Sequence, residues 1–521
     1  MREEMKPTKG GAVVRMYCAG FGDCFLLAFA GNGDKPVYVW IDCGALPHPS
    51  IPGGAKTWFT EIAESIKRTV GDQGIRLLVV THKHSDHLSG FHDARDVFEG
   101  INVREVWMPW TDDPKDKKAM AMAAHERDIL RVARKAADRL SKVQQLDDLH
   151  MTGVMAGLQS LLQFSESLAA VGVSTESLQE IVRSKRPPQY LKPSLTPRTL
   201  DEAPSLRIHV LGPPEDAKFL KQMDPSGGSK REVYLSGLEL NNTLALEAAM
   251  ALDDLASATE ENREVAELAF PFASELRKTV EKISEPESGE DSRLPRLHRL
   301  LKTFAGHTMD PRSRWRNIDL DWLRSAVPMA IKADKFRNNT SLALAFELGE
   351  GGPVLLFPGD AQVGNWLSWH TRQNGTGPAA EDLLNRTVLY KTGHHGSENA
   401  TLKDLGLEVM AQHSSISRGK LVALVPTNRE VAKSKASKRD PDGWDIPWGA
   451  LMRRLKELAG GRVIRIDDAA EWANWVRQPE PPAGVDPEGW KWFRMRSRVG
   501  FAKVAGKDSP LYVEVDVPQR P

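Results

Sequence analysis

Residues 77–87, LLVVTHKHSDH, are the most informative segment of this 521-residue chain. Four apolar residues typical of a buried strand come first, and three histidines and one aspartate follow within six residues of one another. Side chains of an extended chain alternate between two faces, so His82 and His84 point to the same side and can share one metal ion. If a helix begins directly afterwards, Asp86 and His87 project side by side toward a point where a second cation can lie.

These residue types indicate which metals the segment could bind. Imidazole and carboxylate ligands suit Zn²⁺, and also Mn²⁺ or Fe. The alternative is a polar loop that happens to be rich in histidine. So many ligand side chains directly after an apolar strand favour a metal site over that alternative.

The HxHxDH pattern of residues 82–87 resembles the signature of the metallo-β-lactamase-fold hydrolases. Further motifs that resemble that family follow in the expected order: IDCG at residues 41–44, FPGD at residues 357–360 and HHGS at residues 394–397. With GFGDCFLL, which begins at Gly20, and NNTSLALAFEL, they look most like one branch of the family. That branch includes the metallohydrolase domain of bacterial DNA-uptake competence channels.

The resemblance implies an α/β fold, the four-layer αββα sandwich of that family. It covers residues 12–110, 206–214 and 336–466, and the remainder is predicted to form two helical insertions and a C-terminal appendage. Both insertions are inferred from glycine-poor stretches rich in alanine, leucine and charged residues. The predicted segments are 1–111 (first half of the core), 112–204 (helical insertion), 205–238 (core strand and connection), 239–335 (second helical insertion), 336–468 (second half of the core) and 469–521 (Trp-rich appendage).

Apolar and β-branched runs broken by glycine and aspartate predict the strands of the first half of the core. The predicted strands are residues 12–17, 24–30, 37–41, 75–80 and 103–108.

The resemblance also implies two divalent metal ions, most naturally Zn²⁺, with Mn²⁺ as an alternative. The implied metal ligands are His82, His84, Asp86, His87, Asp360 and His395. Asp360 ends an apolar run at a Pro-Gly turn, from which its carboxylate can bridge both metals; an ordinary turn aspartate is the alternative. Successive residues point in different directions, so only one of His394 and His395 is expected to bind metal, and His395 is favoured.

Asp86, Asp360 and His394 are the predicted catalytic residues. Either aspartate would hold the attacking water, and His394 would protonate the leaving group or stabilise charge on the phosphoryl oxygens. Asp42 is predicted to orient a ligand or a bound water rather than to bind metal itself. A structural aspartate that shapes the turn before Gly44 is the alternative.

The sequence departs from the wider family in one respect. Many members place a further histidine between the HxHxDH and the bridging aspartate, and no such segment is found here. Asn338 and Asn339 begin the strand that leads to FPGD, and they are predicted to contact substrate or to form a turn. His209 or His307 could supply the missing ligand, although a hydrogen-bonded structural histidine is favoured. Asp23, in the motif GFGD, is predicted only to shape a turn.

Composition and charge exclude several classes of protein. The chain is 40% hydrophobic and 27% charged, which argues against disordered and fibrous proteins. Seventy basic residues balance 70 acidic ones, so nucleic acid could bind only through local basic segments, such as residues 433–439 and 494–498, which are otherwise solvated loops. No apolar run reaches the roughly 20 residues that cross a bilayer, and no signal peptide is found. A cytoplasmic protein with no membrane partner is expected.

The predicted function is hydrolysis by a metal-activated water. The resemblance favours a phosphodiester substrate, in a nucleotide or a nucleic acid, and the balanced charge favours a small or locally bound one. One alternative is a hydrolase of a small carbonyl ester, lactone or amide, because a fold does not choose its substrate. Another is a module that binds a partner protein through its helical insertions and keeps a vestigial metal site. Retention of the HxHxDH, FPGD and HHGS motifs favours an enzyme.

Overall fold

A computed structural model gives the structure of a large part of the chain. It describes residues 4–124, 126–127, 174–222, 303, 336–371, 378–434 and 443–519. Apart from residues 127 and 303, these residues belong to one compact unit. Nearly all of the second predicted insertion, including His307, lies outside the described residues, as does the middle of the first.

The strands are numbered along the described residues. They are β1 (Ala12–Tyr17), β2 (Cys24–Phe29), β3 (Val37–Cys43), β4 (Leu77–Val79), β5 (Val106–Pro109), β6 (Gln189–Leu191), β7 (Arg198–Leu200), β8 (Ala203–Val210), β9 (Leu344–Leu348), β10 (Val354–Phe357), β11 (Thr387–Lys391), β12 (Val422–Val425), β13 (Val463–Arg465), β14 (Ser497–Val504) and β15 (Lys507–Val517). They form an eight-stranded sheet in the order β14-β15-β1-β2-β3-β4-β5-β6 and a seven-stranded sheet in the order β13-β12-β11-β10-β9-β8-β7. Both sheets are mixed, since each contains parallel and antiparallel pairs.

The helices are numbered in the same way, and residues 117–124 are also helical. They are α1 (Ala55–Val70), α2 (Ser85–Asp93), α3 (Arg95–Glu99), α4 (Thr175–Arg183), α5 (Ala217–Lys221), α6 (Val363–His370), α7 (Ala380–Asn385), α8 (Arg429–Ser434), α9 (Gly449–Leu458), α10 (Ala469–Trp475) and α11 (Pro487–Arg494). The predicted α/β class is therefore confirmed. None of the described helices combines the length and the apolar character needed to cross a lipid bilayer.

The two sheets share an apolar core because their strands alternate side chains between two faces. Phe25 and Phe29 of β2 contact aromatic rings of the second sheet, with centroid distances of 5.4 Å to Phe357 and 5.3 Å to Phe346 respectively. Helices cover other faces of the sheets. Trp40 of β3 packs on α2 and α3, and a second apolar cluster joins β10, β11 and β12 to α6, α7 and α9.

Residues 469–521, which the sequence suggests as an appendage, contribute two helices and two strands. β15 pairs antiparallel with β1, and β14 continues the first sheet beyond it. A buried ion pair joins these strands, with Arg15 Nη2 2.7 Å from Glu514 Oε2. Within the first predicted helical insertion, the described residues also include strands, since β6 and β7 extend the first and second sheets respectively. The two sheets therefore include strands from the predicted C-terminal appendage and from the first predicted insertion.

The topology brings several polar strand ends to one place. β3 and β4 are parallel neighbours in the first sheet, so Asp42 and the histidine segment that follows Val79 lie side by side. β10 and β11 are parallel neighbours in the second sheet, so Asp360 and Lys391 likewise lie side by side. The candidate site forms where these strand ends meet.

Candidate metal centre

Four buried side chains, Asp23, His87, Asp360 and His395, form a group that could hold a metal ion. Each offers one ligand atom, and these atoms lie within 4.8 Å of one another. The last three are ligands that the motifs imply. Asp23 is the residue that sequence reasoning missed, because an aspartate after Gly22 is typical of an ordinary turn.

Close backbone approach brings the GFGD and IDCG turns against the start of α2. A Cβ built on Gly22 would lie 2.5 Å from the Asp86 carbonyl oxygen, and one built on Gly44 would lie 2.6 Å from the backbone of Asp86 and Leu88. No larger residue fits at either position without displacing backbone. The glycines of these two motifs therefore allow Asp23 and Asp42 to reach the first turn of α2.

Hydrogen bonds to the far side of two imidazoles fix which nitrogen can bind a metal. His87 Nδ1 lies 2.8 Å from Asp42 Oδ2, and His395 Nδ1 lies 2.8 Å from the carbonyl oxygen of Pro426. Both partners are acceptors, so each Nδ1 carries a proton and donates it. Nε2 is then the metal-binding atom of both histidines. Asp42 thus lies where a residue that orients a ligand would lie.

Four atoms converge on the other side of these rings. His395 Nε2 lies 2.9 Å from Asp86 Oδ2 and 3.6 Å from Asp360 Oδ2. His87 Nε2 lies 3.2 Å from Asp360 Oδ2 and 3.8 Å from Asp86 Oδ2. Ligands at zinc bond lengths around a tetrahedral ion are separated by about 3.3 Å. The four atoms therefore have the spacing of a coordination shell, and Asp86 joins the cluster.

In the metal-free protein, protons on His87 and His395 lie between these nitrogen atoms and the carboxylates. Burial alone would lower the pKa of His87, but the carboxylates of Asp360 and Asp86 raise it well above its ordinary value. The pKa of His395 is also raised, because the same two carboxylates outweigh the effect of burial. Both imidazoles then donate from Nε2 to a carboxylate. Because a metal ligand must be a neutral imidazole, binding of a cation would release protons.

His82 and His84 form a second pair of nitrogen atoms beside the first group. His82 Nε2 lies 3.0 Å from His84 Nδ1 and 3.9 Å from Asp360 Oδ2. Thr81 Oγ1 lies 2.6 Å from Asp42 Oδ2, to which it donates, and 3.1 Å from His82 Nδ1, from which it accepts. Nε2 of His82 is thus unprotonated. Burial lowers the pKa of both histidines well below its ordinary value, so they are neutral and able to bind metal.

His394 lies at the edge of the cluster rather than inside it. Its Nε2 is 3.3 Å from Asn338 Nδ2 and its Nδ1 is 2.8 Å from Ser397 Oγ. Both His394 and His395 adopt positive φ, at 41° and 55°, a conformation that stores strain in residues other than glycine. Burial lowers the pKa of His394 to about 4, so at neutral pH the imidazole is neutral. A neutral imidazole is a much weaker acid than the imidazolium expected of a general acid.

The remaining predicted residues lie in different surroundings. Asn338 Oδ1 is buried beside His394 and has no hydrogen-bond partner among the described residues. Asn339 donates from Nδ2 to three backbone carbonyls of residues 219–222 and accepts from Asn365 N at 2.9 Å, so its amide serves structure. His209 lies in β8 and pairs with Glu347 of β9, away from the cluster.

The structure also allows a test of whether the site suits a metal ion. Asp86 Oδ1, on the carboxylate whose Oδ2 faces His395 Nε2, is buried without a hydrogen-bond partner in the described part of the chain. Unpartnered buried oxygens are unfavourable, and a cation would complete them. Imidazole nitrogen and carboxylate oxygen together suit Zn²⁺ or Mn²⁺. The residues therefore fit a divalent metal.

Comparison with known proteins gives no match: no family model, curated protein or solved structure matches the chain. The structure itself shows an α/β layout with two mixed sheets and a buried cluster of histidine and aspartate. The resemblance to a family therefore rests on the motifs and on their convergence at one place.

Proposed function

We propose that this protein is a metal-dependent hydrolase of the metallo-β-lactamase fold that cleaves a phosphodiester bond. The observation that carries the proposal is the convergence of Nε2 of His87 and His395 with Oδ2 of Asp86 and Asp360 at 2.9–3.8 Å. These four side chains come from three separate motifs of that family. Such convergence is not expected of motifs that match by chance.

The layers of the structure support the fold assignment. Trp40 packs on α2 and α3, the aromatic residues of β2 meet those of β9 and β10, and α6 and α9 pack on the second sheet. An αββα sandwich predicts this order of helix, sheet, sheet and helix, so these contacts support the proposed fold.

Two cations are proposed, one for each group of nitrogen ligands. His87, His395 and Asp86 would hold one, His82 and His84 would hold the other, and Asp360 Oδ2 faces both groups at 3.2–3.9 Å. A divalent cation bound there would lower the pKa of a bound water toward neutrality and withdraw charge from the bond under attack. Asp42 and the Pro426 carbonyl would keep the Nε2 atoms directed at the cations.

The polar groups at the edge of the centre are proposed to bind the substrate. Asn338 and His394 lie within hydrogen-bonding distance of each other there, and the neutral His394 can donate or accept a hydrogen bond. A neutral donor is suited to a phosphoryl oxygen, and it would position substrate rather than supply the proton of an imidazolium. A phosphodiester, as the competence-like motifs suggest, presents two such oxygens.

The test is a comparison of substrate classes with metals added. Purified protein, loaded with Zn²⁺ or Mn²⁺, is assayed against bis-p-nitrophenyl phosphate and against a panel of lactones and β-lactams. We expect hydrolysis of the phosphodiester that disappears with a chelator and in His87→Ala, because that variant loses an Nε2 ligand. His92→Ala, on the same helix but outside the cluster, is the matched control and should retain activity.

Three outcomes would contradict the proposal. Hydrolysis confined to the lactone or β-lactam panel would identify a carbonyl hydrolase. Phosphodiester cleavage that persists in His87→Ala would point to a contaminating enzyme. A protein that takes up no transition metal would leave only a partner-binding module.

A further inference from the structure

A lysine side chain lies inside the candidate metal centre. Lys391 ends β11 and is 1% exposed. Its Nζ lies 2.6 Å from Asp23 Oδ2, 2.8 Å from the Gly359 carbonyl oxygen and 3.2 Å from Asp360 Oδ1. An ammonium group has three N–H donors, and each has one oxygen here. The lysine is therefore fully bonded in one position between two carboxylates.

These bonds decide which carboxylate oxygens remain for a metal. Asp360 Oδ1 accepts a hydrogen bond from Lys391. Asp360 Oδ2 lies 3.2 Å from His87 Nε2 and 3.6 Å from His395 Nε2. Asp23 Oδ2 accepts a hydrogen bond from Lys391, and Asp23 Oδ1 lies 3.8 Å from His395 Nδ1. Asp23 therefore faces the protonated side of the imidazole, whereas Asp360 faces the side that can bind metal.

We infer that Lys391 is a permanent cation of this centre, which takes the place of a metal between Asp23 and Asp360 and limits Asp360 to one metal-facing oxygen. The inference rests on the proposed metal site and assigns Lys391 to it as a positioning residue. Two buried carboxylates so close together would repel each other in the metal-free protein. The lysine offsets that repulsion and keeps both in place before a metal arrives.

The charge of Lys391 also bears on the substrate. Four carboxylates line the centre, those of Asp23, Asp42, Asp86 and Asp360, and all are at most 2% exposed. Two divalent cations would balance these four negative charges, so Lys391 adds one positive charge to the centre before a bound water is ionised. A phosphodiester carries a single negative charge. The built-in cation therefore favours an anionic diester over a neutral lactone or ester.

The first experiment replaces the lysine by a side chain of similar length without charge. Lys391→Met leaves three buried oxygens, two of them from carboxylates, without their cation. Carboxylate and carbonyl oxygens are the ligands that Ca²⁺ binds, with water completing its six to eight positions. The Zn²⁺-loaded protein is melted with and without added Ca²⁺. We expect Ca²⁺ to raise the melting temperature of the variant by several degrees and to leave the parent unchanged.

Arg15→Met is the matched control for this experiment. It also removes a buried cation from its carboxylate partner, Glu514, but at the pairing of β1 and β15. It should lose stability without gaining any response to Ca²⁺. The inference is overturned if Ca²⁺ leaves Lys391→Met unchanged, or if it raises the melting temperatures of parent and variant equally.

A second pair of variants avoids the uncompensated charge that could prevent folding of the single variant. Asp23→Asn and Asp23→Asn/Lys391→Met differ only at position 391, and position 23 is a neutral asparagine in both. Each is loaded with Co²⁺, whose visible absorption weakens when its coordination number rises above four. Without Lys391, Asp360 Oδ1 is released to become an additional ligand, so we expect weaker absorption in the double variant only.

The failure of this inference differs from failure of the proposed function. Identical Co²⁺ spectra in the two variants, with metal binding and hydrolysis intact in the parent, overturn the role of Lys391 alone. Absence of metal from the parent overturns both.

Discussion

Two buried clusters in this molecule contain the same kinds of side chain, but they differ in how many of their carboxylate oxygens accept a hydrogen bond. In the second sheet, His209 Nε2 lies 2.7 Å from Glu347 Oε2, and Arg386 Nη1 lies 2.9 Å from Oε1 of the same carboxylate. The backbone N–H of Gly351 donates to that oxygen as well, at 2.7 Å. In the candidate metal centre, by contrast, Asp86 Oδ1 has no partner among the described residues.

The difference lies in the ratio of donors to acceptors. Around Glu347, one carboxylate receives donors from a histidine, an arginine and the backbone. In the centre, Lys391 bonds to two of the four carboxylates, and Asp86 Oδ1 is left without a donor among the described residues. A buried acceptor without a donor costs about 1–3 kcal/mol, so the first cluster is complete, whereas the second contains a carboxylate oxygen that a cation could bind. Composition alone does not distinguish a candidate metal site from a structural ion pair, and the donor count is the observation that separates these two clusters.

The largest expected effect comes from removing the carboxylate shared by both groups of nitrogen ligands. Asp360→Ala should lose bound metal, and hydrolysis should fall by about 1000-fold or more, because metal stabilisation amounts to several kcal/mol. Elemental analysis of dialysed protein and initial rates measure the two effects. Full metal content in this variant would contradict a site built on Asp360.

The corresponding change in the complete cluster should act on stability instead. Glu347→Ala leaves His209 without its carboxylate and leaves Arg386 with Asp382 alone, which should lower the free energy of unfolding by about 3 kcal/mol, the lower end for a broken buried pair. Urea denaturation measures this loss. Metal content per folded chain should equal that of the parent, and a parallel loss of metal would remove the distinction between the two clusters.

A third buried cluster, next to the centre, tests how a complete cluster responds to pH. Glu126 lies 2.6 Å from Lys83 Nζ and also pairs with Arg337. Burial alone would raise the pKa of Glu126, but these two cations lower it to about 2 from an ordinary value of 4.5. Because the folded-state pKa is depressed, the stabilisation is complete above pH 4.5 and is lost as the pH falls toward 2.

Glu126→Gln cannot ionise and should therefore lack this part of the acid sensitivity. Comparison of unfolding free energies at pH 6 and pH 3, in the presence of a chelator, should show a difference of about 2 kcal/mol between parent and variant. An equal loss of stability in both proteins at pH 3 would argue against the ion-pair contribution.

The smallest effect is expected when one carboxylate in each cluster is replaced by the amide of the same shape. Asp42→Asn presents an amide N–H to His87 Nδ1, so the imidazole must carry its proton on Nε2, where the metal would bind. Metal affinity should fall by about 10- to 100-fold, measured by competition with a chromophoric chelator. Glu347→Gln makes the same change beside His209 and should leave metal affinity unaltered. Equal affinities in the two variants would show that Asp42 does not set the tautomer.

The sequence predicts those elements in which local pattern and environment agree. The runs at residues 12–17, 24–30 and 37–41 are strands in the structure, at Ala12–Tyr17, Cys24–Phe29 and Val37–Cys43. The HxHxDH segment follows β4 and enters α2, as its period-two histidines and later aspartate suggest. Both strands and motif depend on residues close together in the chain.

Asp23 and Lys391 could not be found in this way, because their contacts are distant in sequence. Asp23 reaches the centre since Cys24 at the start of β2 pairs with Cys43 at the end of β3. Lys391 ends an apolar strand, and an exposed lysine would fit the same pattern. Its partners lie 31 residues away at Asp360 and far earlier in the chain at Asp23. Only the three-dimensional arrangement of strand ends shows that these charges meet.

The pairing of β1 with β15 has a consequence for biosynthesis. Arg15 and Glu514 are separated by 499 residues, so in a nascent chain one flank of β1 stays unpaired until those residues have been translated. At about 5–20 residues per second, that interval is on the order of a minute. An unpaired strand edge can pair with other chains. A chaperone that shields the β1–β2 pair during this delay would therefore raise the yield of correctly assembled protein.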